Sequence, residues 1–326
     1  MESEVTMMPS TKVIEKLNPA IHALRNGSDE PLSYFITYLT PAMIEEARTQ
    51  LKETDESRTK GLEELKQLIK KESKLVTPTD ESFLLAFLRA RKFNAKKAFK
   101  LLQNYWRFRK EHKNIYDHSD STSVKQLILK PMMGALTYRD KSGCVVLLFK
   151  VGGKQIWRNN VWSLNIYCMW DPDVDVYEQV FRAVTAVLVH SIQFPATQVC
   201  GYRIIFDLRG LTWTQLKMCT PSNMLLMIRS TQFCFPARYK GVHIISENKL
   251  FNLVWAVAHP LLTSKLKKRI MFHGTDLAPL SEYIDPSILP VEFGGQADPF
   301  ENTKWSEVLD ECTHQVLDQL MYGYKD

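Results

Sequence analysis

From about residue 135 onward, the chain alternates between short apolar segments and longer segments whose apolar residues recur every three or four positions. The strand-like segments are 135–138, 144–149, 201–207, 241–245 and 269–272, and the helical ones are 176–193, a segment opened by Pro221, and 251–258. Strands that alternate with helices along a chain fold as a parallel or mixed sheet with helices on its faces. We therefore predict an α/β domain in this region.

Residues 1 to about 40 show no sustained periodicity, and the segment that follows, up to about residue 115, shows only a helical period. Thr40 and Pro41 are typical of a helix start, with the hydroxyl as N-cap and the proline at the first helical position. Further helices are predicted to begin near residues 79–81 and after Asn94, and Gly61 is expected to split the first long helical segment. The resulting division is a mobile leader over 1–40, a helical module over 41–115, an α/β domain over 125–297, and an amphipathic C-terminal helix within 298–326.

Composition and missing motifs argue against several functions. No apolar run approaches the about 20 residues that a membrane-spanning helix needs. The sequence contains no phosphate-binding glycine loop, no zinc-protease motif and no nucleophile elbow. The six cysteines form no CxxC pair, which favours reduced thiols in the cytosol and no metal site. We therefore expect a non-enzymatic protein that needs no cofactor.

Basic residues gather beside one apolar helix. Arg238 and Lys240 precede a predicted strand, and Lys265 and Arg269, four positions apart, follow the helix at 251–258. Several cations beside an apolar helix suit the phosphate of an anionic lipid headgroup, but a solvated basic surface fits the composition equally well. Nucleic acid is disfavoured because the aromatic residues are distributed as in a protein core.

A second set of residues fits either a filled core or the lining of a lipid cage, and periodicity alone favours the core. The candidates for a pocket lining are Phe181, Val184, Leu188, Ile205, Leu225, Ile228 and Ile245. Three further candidates, on the last apolar helix, are Phe251, Val254 and Val257.

Several motifs together resemble the CRAL-TRIO (Sec14-like) family of lipid-binding proteins. Residues 79–109 resemble its helical N-terminal module, 197–207 and 235–245 two core strands, 260–274 the end of its mobile lid, and 289–295 its closing motif. The order and spacing make the resemblance specific over about residues 40–297. It is closest to the group of the α-tocopherol transfer protein, the cellular retinaldehyde-binding protein and clavesin.

The resemblance implies a mixed sheet as the floor of a hydrophobic cage, closed by a gate over residues 246–262 that carries Phe251, Val254 and Val257. It implies a tocopherol-, retinoid- or phospholipid-like ligand inside the cage. It also implies a phosphoinositide-binding basic patch, whose matching positions are Arg91, Arg238, Lys240, Lys265 and Arg269. Arg238 and Lys240 are exchanged in type relative to the tocopherol carrier, which keeps the charge but alters the donor geometry.

One departure from the family is an extra stretch at 153–169, either a loop specific to this protein or the product of unusual splicing. The predicted function is intracellular binding and transfer of a hydrophobic lipid between membranes, in the cytoplasm and with peripheral association to phosphoinositide-containing membranes. The alternative is a phosphoinositide-sensing trafficking adaptor without transfer. A lipid hydrolase is disfavoured because no nucleophile motif is present. The identity of the lipid and the oligomeric state stay open.

Overall fold

The computed structural model describes residues 31–116, 126–130, 132–151, 177–302 and 322–325. Within these ranges, none of the helices is both long enough and apolar enough to span a bilayer. The predicted insert at 153–169 and most of the predicted C-terminal helix lie outside the described residues.

The first part of the chain is a helical module, as predicted. Its helices are α1 (Pro41–Glu46), α2 (Asp55–Lys71), α3 (Glu81–Ala90), α4 (Ala95–Glu111) and α5 (Lys113–Tyr116), with a π-helical turn at Ala47–Leu51. The side chains of Thr40, Asp80 and Asn94 each accept a backbone N–H of the first helical turn, so the three predicted starts are confirmed.

The predicted break at Gly61 is wrong, because this glycine lies inside α2. The chain turns instead near Lys52, which adopts a left-handed backbone with φ 65°. Gly61 serves close packing, since a Cβ there would stand 3.2 Å from the ring of Phe93.

Five strands form the central sheet, in the order β2–β3–β4–β5–β6. They are β2 (Met133–Ala135), β3 (Val145–Lys150), β4 (Tyr202–Asp207), β5 (Tyr239–Ile245) and β6 (Ile270–Phe272), and a short β1 (Leu75–Val76) lies apart from them. β2 is antiparallel to β3, and the other neighbours are parallel. The predicted mixed sheet is therefore confirmed.

Helices connect the parallel strands. They are α6 (Tyr177–Ile192), α7 (Pro195–Cys200), α8 (Trp213–Leu216), α9 (Pro221–Phe233), α10 (Lys249–Leu261) and α11 (Ser264–Lys267). Residues 197–200 were expected to begin a strand but belong to α7, because Pro195 opens a helix at its first position. Gly201 ends this helix with φ 85°, and a Cβ there would collide with the carbonyl oxygen of Arg238.

The two faces of the sheet pack against different parts of the chain. The front face carries Leu147, Ile204 and Ile244 into the main core, which also takes residues of α6 and α10. The back face carries Leu148 and Ile205 against the 3₁₀ turns at Ala278–Glu282 and Val291–Phe293. Successive side chains of a strand point to opposite faces, so neighbours in sequence separate in this way.

The predicted mobile leader does not hold for residues 31–39. Tyr34 is fully buried, and its backbone N–H donates to the carbonyl oxygen of Thr137 over 2.8 Å. Arg139, which is 2% exposed, donates to backbone carbonyl oxygens of Ser33 and Tyr34. This segment is therefore docked on the α/β domain, while for residues 1–30 the prediction falls outside the described residues.

Candidate lipid cage and basic patch

The structure separates the predicted pocket residues into different places. Val184 and Leu188 of α6 belong to the apolar cluster under α10, together with Phe251 and Val254. Phe181 packs in another cluster, with side chains of α4 and α5.

The two predicted pocket residues of α9 have opposite environments. Ile228 is buried, whereas Leu225 is 51% exposed. Leu225 is therefore not part of the apolar cluster under α10.

Two predicted pocket residues are corrected by the strand geometry. Ile205 and Ile245 lie on the back face, in the cluster of the C-terminal turns, so they do not face α10. Their neighbours Ile204 and Ile244 hold the front positions. A parallel strand that is buried on both faces reads as a continuous apolar run, so the sequence carries no alternation that would assign the faces.

The front face keeps large side chains that are not fully covered. Phe149 of β3 and Phe206 of β4 lie on neighbouring inner strands, with ring centroids 5.3 Å apart, yet both are only half-buried. Phe272 of β6 is 45% exposed. Side chains on inner strands are normally covered by the layer above them. The apolar region where the front face packs against α6 and α10 is therefore the candidate cage.

Helix α10 packs against this region and corresponds to the predicted gate. The Asn248 side chain caps it by accepting the backbone N–H groups of Leu250 and Phe251. Phe251 is buried, and its ring centroid lies 6.1 Å from that of Phe272. Val254 and Val257 are half-buried. This helix thus turns Phe251 inward, into the main core.

Hydrogen bonds to neighbouring segments hold the two ends of α10. At its start, Ser246 has φ 55°, and its N–H donates to the Gly274 carbonyl oxygen over 2.6 Å. The Glu247 carboxylate accepts the Gly274 N–H in return, over 3.1 Å. At its end, the Thr263 N–H donates to the side-chain oxygen of Gln232 over 3.0 Å. Such element ends are where hinges absorb backbone rotation.

The predicted basic patch is brought together beside the gate. Partial burial lowers the pKa of the Lys265 ammonium, and four neighbouring cations lower it further. These four are Arg269, Lys92, Arg238 and Arg91. Lys240 joins the patch through a carboxylate that it shares with Arg238.

Two members of the patch were missed by sequence reasoning. Lys92 directly follows Arg91 in the sequence, so its membership of the patch could have been predicted from that neighbour. Glu46 supplies the shared carboxylate, with its Oε1 2.6 Å from the Lys240 Nζ. It is 194 positions away from Lys240, and no local pattern links the two.

The back face holds a chain of polar contacts that ends next to Gly274. The Arg203 guanidinium lies 2.7 Å from an Asp140 oxygen and 3.3 Å from the His243 Nε2. The His243 Nδ1 lies 2.9 Å from the Nε2 of His273, the residue before Gly274. Arginine only donates, so the neutral His243 accepts at Nε2 and donates from Nδ1 to His273.

The described side chains offer little for catalysis. Burial raises the pKa of Cys200, Cys219 and Cys234 to about 11, so these thiols stay protonated and are poor nucleophiles. Among residues with a described placement, no group of three or more His, Cys, Asp or Glu side chains is set to hold a metal ion. A small cavity of about 30 Å³, lined by Phe87 and Tyr105, has room for water only.

A mixed sheet with a partly exposed apolar front face, a helix packed against that face and a group of adjacent cations are the features of a lipid-binding α/β protein. The chain belongs to the CRAL/TRIO domain family, whose profile matches residues 129–295. Residues 54–126 match the profile of the Pinta-like UBA domain. The resemblance inferred from the motifs is confirmed, and this family of lipid-binding and transfer proteins makes a hydrophobic molecule the expected ligand.

Curated relatives match most of the chain. It is 29% identical to clavesin-1 of Pongo abelii over 287 residues, which covers 87% of this chain and 77% of the relative. It is 30% identical to clavesin-2 of Homo sapiens over 288 residues, which covers 87% of this chain and 83% of the relative. The crystal structure of Sfh5 aligns with 82% of this chain and 99% of its own, at 12% identity and a TM-score of 0.48.

Proposed function

We propose that this protein is a non-enzymatic carrier that holds one hydrophobic lipid between the sheet and α10 and transfers it between membranes. A phosphoinositide headgroup at the basic patch directs it to the cytoplasmic face of those membranes, where it associates peripherally. The observation that carries the proposal is the half-buried pair Phe149 and Phe206 on inner strands, within the same apolar cluster as Phe251 of α10.

The size of the apolar effect explains why a gate needs a trigger. Burial of a lipid chain contributes about 0.8 kcal/mol per CH₂, so about ten methylenes contribute about 8 kcal/mol. Release into water is therefore slow. Opening at a membrane gives both the lipid and the inward-facing Phe251 an apolar environment.

The position of the basic patch next to α10 supports a link between membrane binding and gate opening. Lys265 lies in α11, which follows α10 after the hinge at Thr263. A headgroup that binds the patch more tightly when α10 is open shifts the population toward the open state. The patch thus acts on the hinge while the cage holds the lipid.

Charge reversal at the hinge side of the patch tests this mechanism. Lys265→Glu with Arg269→Glu is expected to slow transfer between phosphoinositide-containing vesicles by at least about ten-fold. Lipid binding in solution should change much less, because neither side chain belongs to the cage. The matched control is Lys66→Glu with Lys70→Glu, which reverses two charges four positions apart in α2.

Equal transfer rates for the two double variants would refute the carrier mechanism. Mass spectrometry of organic extracts from the purified protein supplies the independent readout of the cage. A stoichiometric hydrophobic compound supports the carrier. An empty protein that still binds phosphoinositide vesicles supports the alternative, a sensing adaptor without transfer.

A further inference from the structure

The basic patch contains an internal anion. Glu46 is the last residue of α1, and its Oε1 lies 2.6 Å from the Lys240 Nζ and 3.7 Å from the Arg238 Nη1. Its side chain is 20% exposed, so the pair is shielded from water more than an ordinary surface ion pair. The Glu46 carboxylate therefore occupies the position between Lys240 and Arg238 that an anionic ligand of the patch would occupy.

Arg238 shows that Glu46 fills this place incompletely. The Arg238 Nη1 is buried and has no hydrogen-bond partner, since 3.7 Å from the carboxylate is too long for a hydrogen bond. Burial lowers the pKa of Arg238, and the charge of Glu46 only partly opposes this effect. A buried donor left without a partner costs free energy that a better-placed acceptor recovers.

A phosphate ester is such an acceptor. It carries a charge of about −1.5 to −2 and three strong acceptor oxygens, whereas a carboxylate has one charge and two oxygens. One phosphate can therefore bond to the Lys240 ammonium and the unpartnered Arg238 nitrogen at once, which the Glu46 carboxylate does not do.

We propose that Glu46 is an internal competitor for the phosphate site of the basic patch. It neutralises Lys240 and Arg238 while the patch is empty, and a phosphate-bearing headgroup displaces it. This inference rests on the proposed headgroup binding and adds its regulation. Because Glu46 lowers the affinity for every anion, the patch stays empty on weakly anionic membranes and fills only where multiply charged headgroups are present.

The test compares Glu46→Gln with Glu45→Gln. Glu45 is the adjacent residue of α1, and it pairs with Arg48 at the surface, 2.8 Å away. Both substitutions remove one negative charge at nearly the same place, so they alter the general field alike. Binding is measured to phosphatidylcholine vesicles with and without a phosphatidylinositol bisphosphate, and to soluble inositol bisphosphate.

Glu46→Gln is expected to bind both bisphosphate probes about three- to ten-fold more tightly than the wild type, and Glu45→Gln to change little. Equal effects of the two substitutions, or weaker binding by Glu46→Gln, would overturn the competitor role. A gain on vesicles without a gain for the soluble headgroup would also overturn it, because the competition takes place at the phosphate itself.

A double-mutant cycle with Lys240→Gln tests whether Glu46 acts on binding through its contact with Lys240. If Glu46 acts through Lys240, the gain from Glu46→Gln should largely vanish in the Lys240→Gln background, whereas additive effects contradict the proposal. In the wild type, soluble inositol bisphosphate should speed amide hydrogen exchange in α1 and the π-helical turn, and unchanged exchange contradicts it as well.

The wild-type measurement distinguishes loss of headgroup binding from loss of the competitor role alone. If the wild type and both Glu variants bind bisphosphate vesicles no better than phosphatidylcholine vesicles, the headgroup function itself fails. If the wild type binds and Glu46→Gln matches Glu45→Gln, only the competitor role fails.

Discussion

Replacing His243 by glutamine should make the fold less sensitive to acid. His243 is fully buried, and burial lowers its pKa to about 3, with the charges of Arg203 and His273 acting in the same direction. In the unfolded chain the pKa is about 6.5. Between these two pH values the His243 imidazole is protonated in the unfolded state but not in the folded state. The free energy of unfolding therefore falls as the pH drops below about 6.5 toward 3.

The size of this effect follows from the difference in proton binding. At pH 5 the unfolded His243 is mostly protonated and the folded one is not, which costs about 2 kcal/mol relative to pH 7. Glutamine can accept from Arg203 and donate to His273, so it replaces both hydrogen bonds without titrating. His243→Gln should therefore lose about 2 kcal/mol less than the wild type over this range.

The assay is urea unfolding of both proteins at pH 7 and pH 5. Other groups near the pair, His273, Glu247, Glu282 and Tyr283, are present in both proteins and cancel in the difference. So does the buried His190, whose pKa burial lowers to about 4. An equal loss of stability in the two proteins would refute the donor and acceptor roles assigned to His243.

Three further substitutions, one of them a control, test the cage and the module. Phe206→Ala should reduce retention of the bound lipid, measured by mass spectrometry after incubation with acceptor vesicles, while costing less stability than the about 3–5 kcal/mol of a fully buried phenylalanine. Phe293→Ala, on the back face, is the matched control: it should cost that full amount and leave retention per folded molecule unchanged. Arg89→Ala breaks the buried pair with Glu53, 2.6 Å apart, and should destabilise the protein by about 3–5 kcal/mol in urea unfolding; a loss under about 1 kcal/mol would contradict burial of an unpaired Glu53 carboxylate.

Local signals in the sequence carried most of the architecture. Caps such as Thr40, Asp80 and Asn94 act within one turn, so they were legible and the structure confirms them. The alternation of strands and helices predicted the mixed sheet for the same reason. Gly61 misled because a glycine in a helix also permits close contact with a neighbour, here Phe93.

Features of the candidate site that depend on contacts between distant residues could not be predicted from the sequence. The face of Ile205 depends on the register of β4 in the sheet, which a continuous apolar run does not encode. The docking of Tyr34 depends on Arg139, more than a hundred positions away in the sequence. Glu46 pairs with Lys240, which lies 194 positions further along the chain. Four residues of the basic patch were found from their spacing, but only the family resemblance added Arg91 and favoured a lipid headgroup over a solvated basic surface.

The helical module is completed by residues that are synthesised long after it. Strand β1 at Leu75–Val76 pairs with a late strand, β7 (Gly323–Tyr324). The guanidinium of Arg107 in α4 lies 5.2 Å from the centre of the Tyr324 ring. During synthesis on the ribosome, the edge of β1 therefore stays unpaired until the whole α/β domain has emerged. Pairing two strands that lie so far apart in the sequence is slow, but it costs little more free energy than closing a shorter loop. The late pairing therefore affects the order of folding more than the final stability.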